Sequence, residues 1–270
     1  MIDEVLLRSL TEKGLVDKIV SVEETTSTND MAKKCVRDGY KGTALFVSEL
    51  QTAGRGRLGR SWSSPSGTGI WMSYLIAGIS DGIENISVNT LITGLAVAEA
   101  LNEYAAETGN VLPCRIKWPN DIVVGGRKIC GILCEFITEG TGGSLIIGIG
   151  INTGQQSFPE ELADKGTSYY IETGSLPQRE MIINKIIEKL ARTAPCRDLS
   201  AGDAIKRYSD LMVNLDKEVI LTSMNGDFPD NPYIARGITG QGDLVVEDKY
   251  GRQSKVTSGE VSVRGVLGYI

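Results

Sequence analysis

A loop rich in glycine and arginine, LQTAGRGRLGRSW at 50–62, constrains the fold of this chain more than any other segment. It follows ALFVSEL (44–50), whose composition predicts a strand. The loop's glycines fit the dinucleotide-binding pattern G-x-G-x-x-G, but that pattern needs a helix that opens at the third glycine. The turn-rich RSWSSPSGTG (60–69) follows instead. The segment therefore argues against a dinucleotide-binding fold.

The same loop carries positive charge suited to an anion. Arg55, Arg57 and Arg60 alternate with glycines, and their planar guanidinium groups match carboxylate and phosphate. The net charge of the chain is −6, which does not favour a polyanion. A nucleic-acid-binding RG segment normally repeats in a basic protein, whereas this one occurs once in an acidic protein. A small anion in a local basic pocket is the favoured interpretation, and a solvated basic loop is the structural alternative.

The chain contains no histidine, so the commonest general base and metal ligand are missing. Catalysis must then rely on Lys, Arg, Asp, Glu, Tyr or Cys, or on binding energy alone. The five cysteines form no C-x-x-C pair and indicate reduced thiols in a cytosolic protein. The N-terminus is too polar for a signal peptide, and no apolar run reaches membrane-spanning length. We therefore expect a cytoplasmic protein without membrane association.

Hydrophobic periodicity predicts an α+β domain over residues 1–213 and a small all-β domain over 214–270. The predicted helices cover 3–12, the segment after Ser27, 87–108, 178–192 and 199–212. The predicted strands of the first domain cover 18–24, 44–50, 69–78, 114–118, 127–137 and 144–152. Gly125-Gly126 predicts a hairpin turn between two of them. Short β segments separated by Gly, Asn, Asp and Pro make up the C-terminal part.

Three further clusters carry candidate chemistry. KWPND (117–121) offers an amide and a carboxylate at a corner between strands, although such a pair alone is more often a structural turn. Lys128 opens an otherwise apolar strand, where a lysine is usually an edge residue that prevents aggregation. GIGIN (148–152) removes side chains from a central strand, which indicates close packing or a ligand against the backbone.

Together these motifs resemble one family. STN, QTAGRGRLGRSW, KWPND, GRKICGILCE, GIGIN and GEVSVRG, in this order, are similar to those of biotin–protein ligases, also called biotin–[acetyl-CoA-carboxylase] ligases. The resemblance runs from about Ser27 to Arg264. It implies a mixed β-sheet flanked by helices, followed by a small C-terminal SH3-like β-barrel. It also implies an AMP-forming enzyme that uses ATP and Mg²⁺ to convert biotin to biotinyl-5′-AMP.

The resemblance further implies roles for individual residues. Lys128 and Arg55 would be catalytic, and Asp121 is a candidate for contact with Mg²⁺. The residues implied to bind biotin are Ser27, Thr28, Asn29, Gln51, Arg55, Gly56, Arg57 and Lys128. The residues implied to bind ATP are Arg57, Trp62, Lys117, Asn120 and Asn152.

The implied partner is a biotin carboxyl carrier domain, whose lysine receives biotin. Only 26 residues precede Ser27, fewer than a winged helix-turn-helix of about 60 residues needs, so we expect no DNA binding. The oligomeric state stays open between monomer and homodimer. Three alternatives remain: a lipoate–protein ligase with the same fold, a nucleic-acid-binding module, and a catalytically idle biotin-binding regulator.

Overall fold

The computed structural model describes residues 2–80, 85–195, 203–223, 232–258 and 261–265. Within them the chain forms a seven-stranded mixed sheet flanked by helices and a five-stranded antiparallel sheet, which confirms the predicted α+β class. The helices are α1 (Glu4–Glu12), α2 (Thr28–Arg37), α3 (Ile86–Glu107), α4 (Tyr169–Thr173), α5 (Arg179–Thr193) and α6 (Ala204–Leu211). The strands of the first sheet are β1 (Lys18–Thr25), β2 (Gly42–Gln51), β3 (Gly69–Ile79), β4 (Arg115–Lys117), β5 (Asp121–Val124), β6 (Arg127–Glu139) and β7 (Gly142–Asn152).

The strand order of the first sheet is β1-β2-β3-β7-β6-β5-β4. Only β1 and β2 are parallel; the other neighbours run antiparallel. Gly125 and Gly126 both have positive φ, at 54° and 83°, and join β5 to β6 in the predicted tight turn. The apolar run at 144–152 is the central strand β7, as predicted.

The two faces of β7 differ because successive side chains of a strand point to opposite sides. Its odd-numbered residues join the main core, to which α3 and α5 contribute. These residues are Leu145, Ile147, Ile149 and Ile151. On the other face, Ile146 packs with Ala32 and Val36 of α2, but Gly148 and Gly150 add no side chain. The alternation of isoleucine and glycine therefore fills one face of the sheet and leaves space on the other.

The helices form where the periodicity predicts them. Asn85 caps α3 by accepting a hydrogen bond from Val88 N. All the isoleucines of α5 and its Leu190 are buried. The predicted helix 199–212 is α6 in its described part; residues 196–202 lie outside the described residues. The prediction missed α4, whose five residues are too few to show periodicity.

The C-terminal strands are β8 (Glu218–Ser223), β9 (Tyr233–Ile238), β10 (Leu244–Glu247), β11 (Gln253–Val256) and β12 (Val261–Gly265). They form a sheet in the order β11-β10-β9-β8-β12, in agreement with a small SH3-like domain. The predicted division at 213/214 falls between α6 and β8. The buried Trp118 Nε1 donates to Gly242 O at 3.2 Å and thus joins the two parts. Among the described residues no helix is long and apolar enough to span a membrane.

Candidate active site

A cavity of about 750 Å³ lies on the glycine-bearing face of the first sheet. Every residue that the sequence assigns to the site lines this cavity. These residues are Ser27, Thr28, Asn29, Gln51, Arg55, Gly56, Arg57, Trp62, Lys117, Asn120, Asp121, Lys128 and Asn152. The structure therefore brings together segments that are up to 125 residues apart in sequence, from Ser27 to Asn152.

One end of the cavity is a network of uncharged polar groups. Thr28 N donates to Gln51 Oε1 at 2.9 Å, and Gln51 Nε2 donates to Ser64 Oγ at 2.8 Å. Ser73 Oγ lies 2.7 Å from Thr28 Oγ1 and 2.5 Å from Asn29 Oδ1. Because these bonds fix the amides and hydroxyls, this end is preorganised for a neutral ligand that donates and accepts hydrogen bonds.

Asn29 is held by two charged residues that sequence reasoning missed. Its Nδ2 donates to Glu135 Oε2 at 2.8 Å, and Lys33 Nζ lies 2.6 Å from Glu135 Oε1. A side chain at Gly148 would overlap Asn29 Oδ1. The glycine is thus required for close packing, as GIGIN predicts. A carboxylate on an otherwise apolar strand was the available signal for Glu135.

Trp62 covers the middle of the sheet. A Cβ at Gly150 would stand 2.5 Å from Trp62 Nε1, and one at Gly131 would stand 3.0 Å from its ring. Lys128 Nζ lies 4.9 Å from the centroid of the Trp62 ring, within the range of a cation–π interaction. The two glycines therefore make room for the indole ring. The face of the ring in turn contacts the ammonium group of Lys128.

A positively charged wall stands beside Trp62. Lys128 Nζ lies 2.6 Å from Asp121 Oδ1, and Arg57 Nη1 donates to Asn120 Oδ1 at 3.0 Å. Arg57 Nη2 is buried and has no hydrogen-bond partner among the described residues. Burial lowers the pKa of Arg57 from its ordinary value, while the charge of Asp121 opposes that change. A guanidinium whose buried nitrogen has an unused donor is suited to an anionic ligand.

Arg55 points elsewhere. It forms an ion pair with Asp30, and both side chains are 40% exposed. The loop around it contains a short 3₁₀ turn, Arg57–Gly59, in which Leu58 has a positive φ of 55°. Arg55 thus lies exposed at the edge of the cavity that it lines.

The other end of the cavity was largely missed by sequence analysis. Asn152 lies there as expected, but its amide Nδ2 donates to Thr167 O at 3.1 Å. Gln155, Phe158 and Gly166 also line this end. The sequence around these residues is irregular, and only their position after the central strand β7 could have indicated them.

The described residues contain no group of three or more His, Cys, Asp or Glu side chains that could hold a metal ion by themselves. Asp121 is the carboxylate that the sequence assigns to this role, and it is paired with Lys128. Mg²⁺ commonly binds through phosphates and one or two carboxylates. A single carboxylate fits a Mg²⁺ only when the ion arrives bound to the phosphates of a nucleotide, and Asp121 is the residue that would meet it.

Comparison with known proteins agrees with this geometry. Residues 21–152 match the sequence model of the Biotin/lipoate A/B protein ligase family. The chain is 32% identical over 244 residues to the bifunctional ligase/repressor BirA of Bacillus spizizenii, covering 88% of this chain and 71% of that protein. It is 29% identical over 268 residues to the biotin–[acetyl-CoA-carboxylase] ligase of Mycobacterium tuberculosis, and the match covers 93% of this chain and 95% of that protein.

The fold has solved counterparts as well. The biotin protein ligase from Aquifex aeolicus in complex with biotin and ATP superposes with a TM-score of 0.73 at 26% identity, covering 92% of this chain and 99% of that one. A mutant of that ligase in complex with biotin gives a TM-score of 0.74 at 27% identity, and the match covers 92% of this chain and 98% of that one. Taken together with the assembled motifs, these likenesses show that the chain belongs to the biotin–protein ligases of the Biotin/lipoate A/B protein ligase family.

Proposed function

We propose that this chain is a biotin–[acetyl-CoA-carboxylase] ligase, which activates biotin with ATP and transfers it to a carrier lysine. The observation that carries the proposal is the single cavity, in which a neutral polar end, a cationic centre and a second polar end follow one another along β7. The ligase relatives and the Aquifex complex with biotin and ATP support it.

The neutral end suits the ureido ring of biotin. The ring both donates and accepts hydrogen bonds, and the hydroxyl and amide groups of Ser27, Thr28, Asn29 and Gln51 can do the same. Burial of Ser27, Thr28 and Asn29 excludes water that would compete for the ring. Biotin would therefore enter ring first and leave its carboxylate at the cationic centre.

The cationic centre is suited to bind two anions side by side, the carboxylate of biotin and the α-phosphate of ATP. The biotin carboxylate attacks the α-phosphorus of ATP, a P–O bond forms, and pyrophosphate leaves. Lys128 and Arg57 would neutralise the carboxylate and the phosphate in a site where charges interact strongly. Arg55 and Gly56 belong to the loop that would close over them, with Arg55 exchanging Asp30 for the new anions.

The nucleotide would occupy the remaining space. Trp62 offers an apolar surface, and Lys117 and Asn120 stand on the phosphate side, while Asn152 lies at the far end. Asp121 would contact Mg²⁺ bound to the phosphates, and the ion would supply charge neutralisation. None of these roles needs a histidine.

The second step transfers biotin. The neutral amine of the carrier lysine attacks the carbonyl carbon of biotinyl-5′-AMP, an amide bond forms, and AMP leaves. The acceptor in the proposal is a biotin carboxyl carrier domain, and we propose residues 1–213 as the catalytic domain and 214–270 as an SH3-like domain that assists it. A cytoplasmic location completes the proposal.

ATP–pyrophosphate exchange with biotin tests the function. We expect exchange that depends on biotin and is not supported by lipoate, followed by transfer to a carrier domain. Exchange with lipoate in place of biotin would identify the other ligase of the same family. Absence of exchange with either acid would overturn the proposal.

A further inference from the structure

Glu135 of β6 fixes the direction of the Asn29 amide. A carboxylate can only accept, and Glu135 Oε2 lies 2.8 Å from Asn29 Nδ2. The backbone oxygen of Leu133, which can only accept as well, lies 3.4 Å from the same nitrogen. Lys33 Nζ, 2.6 Å from Glu135 Oε1, holds the carboxylate in place. Since both neighbours of Nδ2 are acceptors, Asn29 must turn its Oδ1 toward Ser73.

This direction is passed on to two hydroxyl groups. Asn29 Oδ1 can only accept, so Ser73 Oγ, 2.5 Å away, must give its one proton to that bond. Thr28 Oγ1 lies 2.7 Å from Ser73 Oγ, and because the Ser73 proton is already used, Thr28 must donate in this contact. Ser73 is fully buried, so water does not compete for either bond. The proton of Thr28 therefore points to Ser73 and not into the cavity.

Two acceptors are then left side by side at the neutral end of the cavity. Thr28 Oγ1 lies 3.2 Å from Gln51 Oε1, the longer of its two contacts, and its proton is directed to Ser73. The Gln51 amide is fixed as well, because Thr28 N donates to its Oε1 at 2.9 Å and its Nε2 donates to Ser64 Oγ at 2.8 Å. Thr28 and Gln51 both line the cavity. A ligand that brings an N–H group satisfies these oxygens, whereas a ligand without a donor leaves them unpaired.

We propose that Glu135 is a positioning residue, which directs the hydrogen bonds of the neutral end so that Thr28 and Gln51 present only acceptors to the ligand. Glu135 does not line the cavity itself, and it acts through Asn29 and Ser73. The inference rests on the proposed function and deepens it, because it names the group that sets the direction of the network around the ureido ring. Without Glu135 the Asn29 amide is free to flip, and the hydroxyl protons lose their fixed direction.

Removing the acceptor, with and without a replacement, tests this role. Calorimetry would measure the binding of biotin and, separately, of ATP to the wild type, Glu135→Met and Glu135→Gln. Glu135→Met should bind biotin about 10-fold more weakly and bind ATP as the wild type does. Glu135→Gln can still present Oε1 to Asn29 Nδ2, so it should restore most of the biotin affinity. In pyrophosphate exchange, Glu135→Met should raise the KM for biotin and leave kcat nearly unchanged.

A second substitution tests whether Glu135 acts through Ser73. Glu135→Met and Ser73→Ala interrupt one chain of hydrogen bonds, so the double variant should lose little more biotin affinity than the weaker of the two single variants. Glu139→Met is the matched control, because Glu139 also lies on β6 and forms an ion pair with a lysine, the exposed Lys41. It should keep the wild-type affinity for both ligands.

Three results would overturn the inference. They are an unchanged biotin affinity in Glu135→Met, an equal loss of biotin and ATP affinity without rescue in Glu135→Gln, and additive losses in the double variant. Each leaves the ligase assignment intact, because the wild type still binds biotin and catalyses exchange. A wild type that binds no biotin would overturn the proposed function and this inference together.

Discussion

Lys128 Nζ lies 2.6 Å from Asp121 Oδ1, and the two side chains are only 24% and 15% exposed. The carboxylate thus holds the ammonium group beside Trp62. When two anions arrive, the ammonium can turn to them without first being brought out of water. This preorganisation is the main source of electrostatic rate enhancement in enzymes.

Substitution Lys128→Met tests this role. The variant keeps the volume of the side chain but loses its charge, so we expect biotin-dependent pyrophosphate exchange to fall by about 100-fold or more. Lys34→Met is the matched control, because Lys34 is an exposed residue of α2, and it should keep full activity. A near-normal exchange rate in Lys128→Met, with an unchanged circular dichroism spectrum, would remove Lys128 from the mechanism.

Arg57 should show a conflict between stability and function. Its buried Nη2 has no partner among the described residues, and burial lowers its pKa. In Arg57→Met we therefore expect the melting temperature of the ligand-free protein to stay the same or rise, while affinity for ATP falls at least about 10-fold. Arg37→Met, at an exposed position of α2, should change neither quantity. A large drop in the melting temperature of Arg57→Met would show that Arg57 stabilises the fold instead of waiting for an anionic ligand.

Much of the fold follows from local patterns. The isoleucine spacing of α5 reflects the one face that this helix buries, and the alternation of isoleucine and glycine in β7 reflects the different neighbours on the two faces of the strand. The strand order does not follow from such patterns. β7 inserts between β3 and β6, and a pairing between segments some 70 residues apart has no local signal.

The residues of the site likewise fall into those that the sequence could indicate and those that only the structure shows. The family resemblance, carried by motifs dense in glycine, arginine or charged residues, assigned the loop at 50–62, KWPND and Lys128 to one site, and these segments line one cavity. Glu135 and Gln155 escaped notice because each acts through another side chain, on Asn29 and Asn152. Such a role depends on the direction of a hydrogen bond, which becomes visible only when both partners have coordinates.

Substitution of Gly150 should impair nucleotide binding as much as substitution of Trp62, because a Cβ at Gly150 would stand 2.5 Å from the indole nitrogen. We expect Gly150→Ala and Trp62→Ala each to weaken ATP binding more than biotin binding, by about 10-fold for ATP. The double variant should lose little more than either single variant, since both act on one contact. Additive losses would mean that the two residues act independently.

The control for Gly150 is Gly94→Ala in α3. A Cβ at Gly94 would meet its nearest neighbour at 3.7 Å, an ordinary contact. Alanine favours a helix interior by about 0.5–1 kcal/mol over glycine, so this variant should keep its affinity for ATP and melt slightly higher. Thermal unfolding followed by circular dichroism measures the second effect.

Glu49 should make the fold sensitive to acid. Burial pushes the pKa of Glu49 up, but the two hydrogen bonds from Arg179, at 2.9 and 3.0 Å, and one from Ile2 N lower it overall from its ordinary value of 4.5. A carboxyl with a lowered pKa in the folded state stabilises the protein above the unfolded value. That contribution disappears as the pH falls below about 4.5 through the folded pKa.

The comparison of Glu49→Gln with the wild type tests this pH dependence. Breaking a buried ion pair costs about 3 kcal/mol or more, so the variant should melt clearly lower at pH 7. The difference between the two proteins should shrink as the pH is lowered through 4. Glu23→Gln, at an exposed position of β1, should follow the wild type throughout. A difference that stays constant from pH 7 to 3.5 would exclude the charge of Glu49 as its cause.

The loop at 51–62 should become ordered when ligand binds. Its outer part, residues 55–61, makes few bonds to the rest of the protein: Gly56 N donates to Arg60 O at 2.7 Å within the loop, Arg57 Nη1 donates to Asn120 Oδ1 at 3.0 Å, and Arg55 pairs with Asp30 at the surface. A surface ion pair contributes about 0.2–1 kcal/mol, which an anion in the cavity can easily exceed. We expect amide hydrogen exchange in 51–62 to slow at least about 10-fold with biotin and ATP. Asp30→Asn should speed exchange in the free protein and leave the liganded state unchanged, because closure of the loop over the anions would separate Arg55 from Asp30. Equal exchange with and without ligands would show that the loop is a fixed wall of the site.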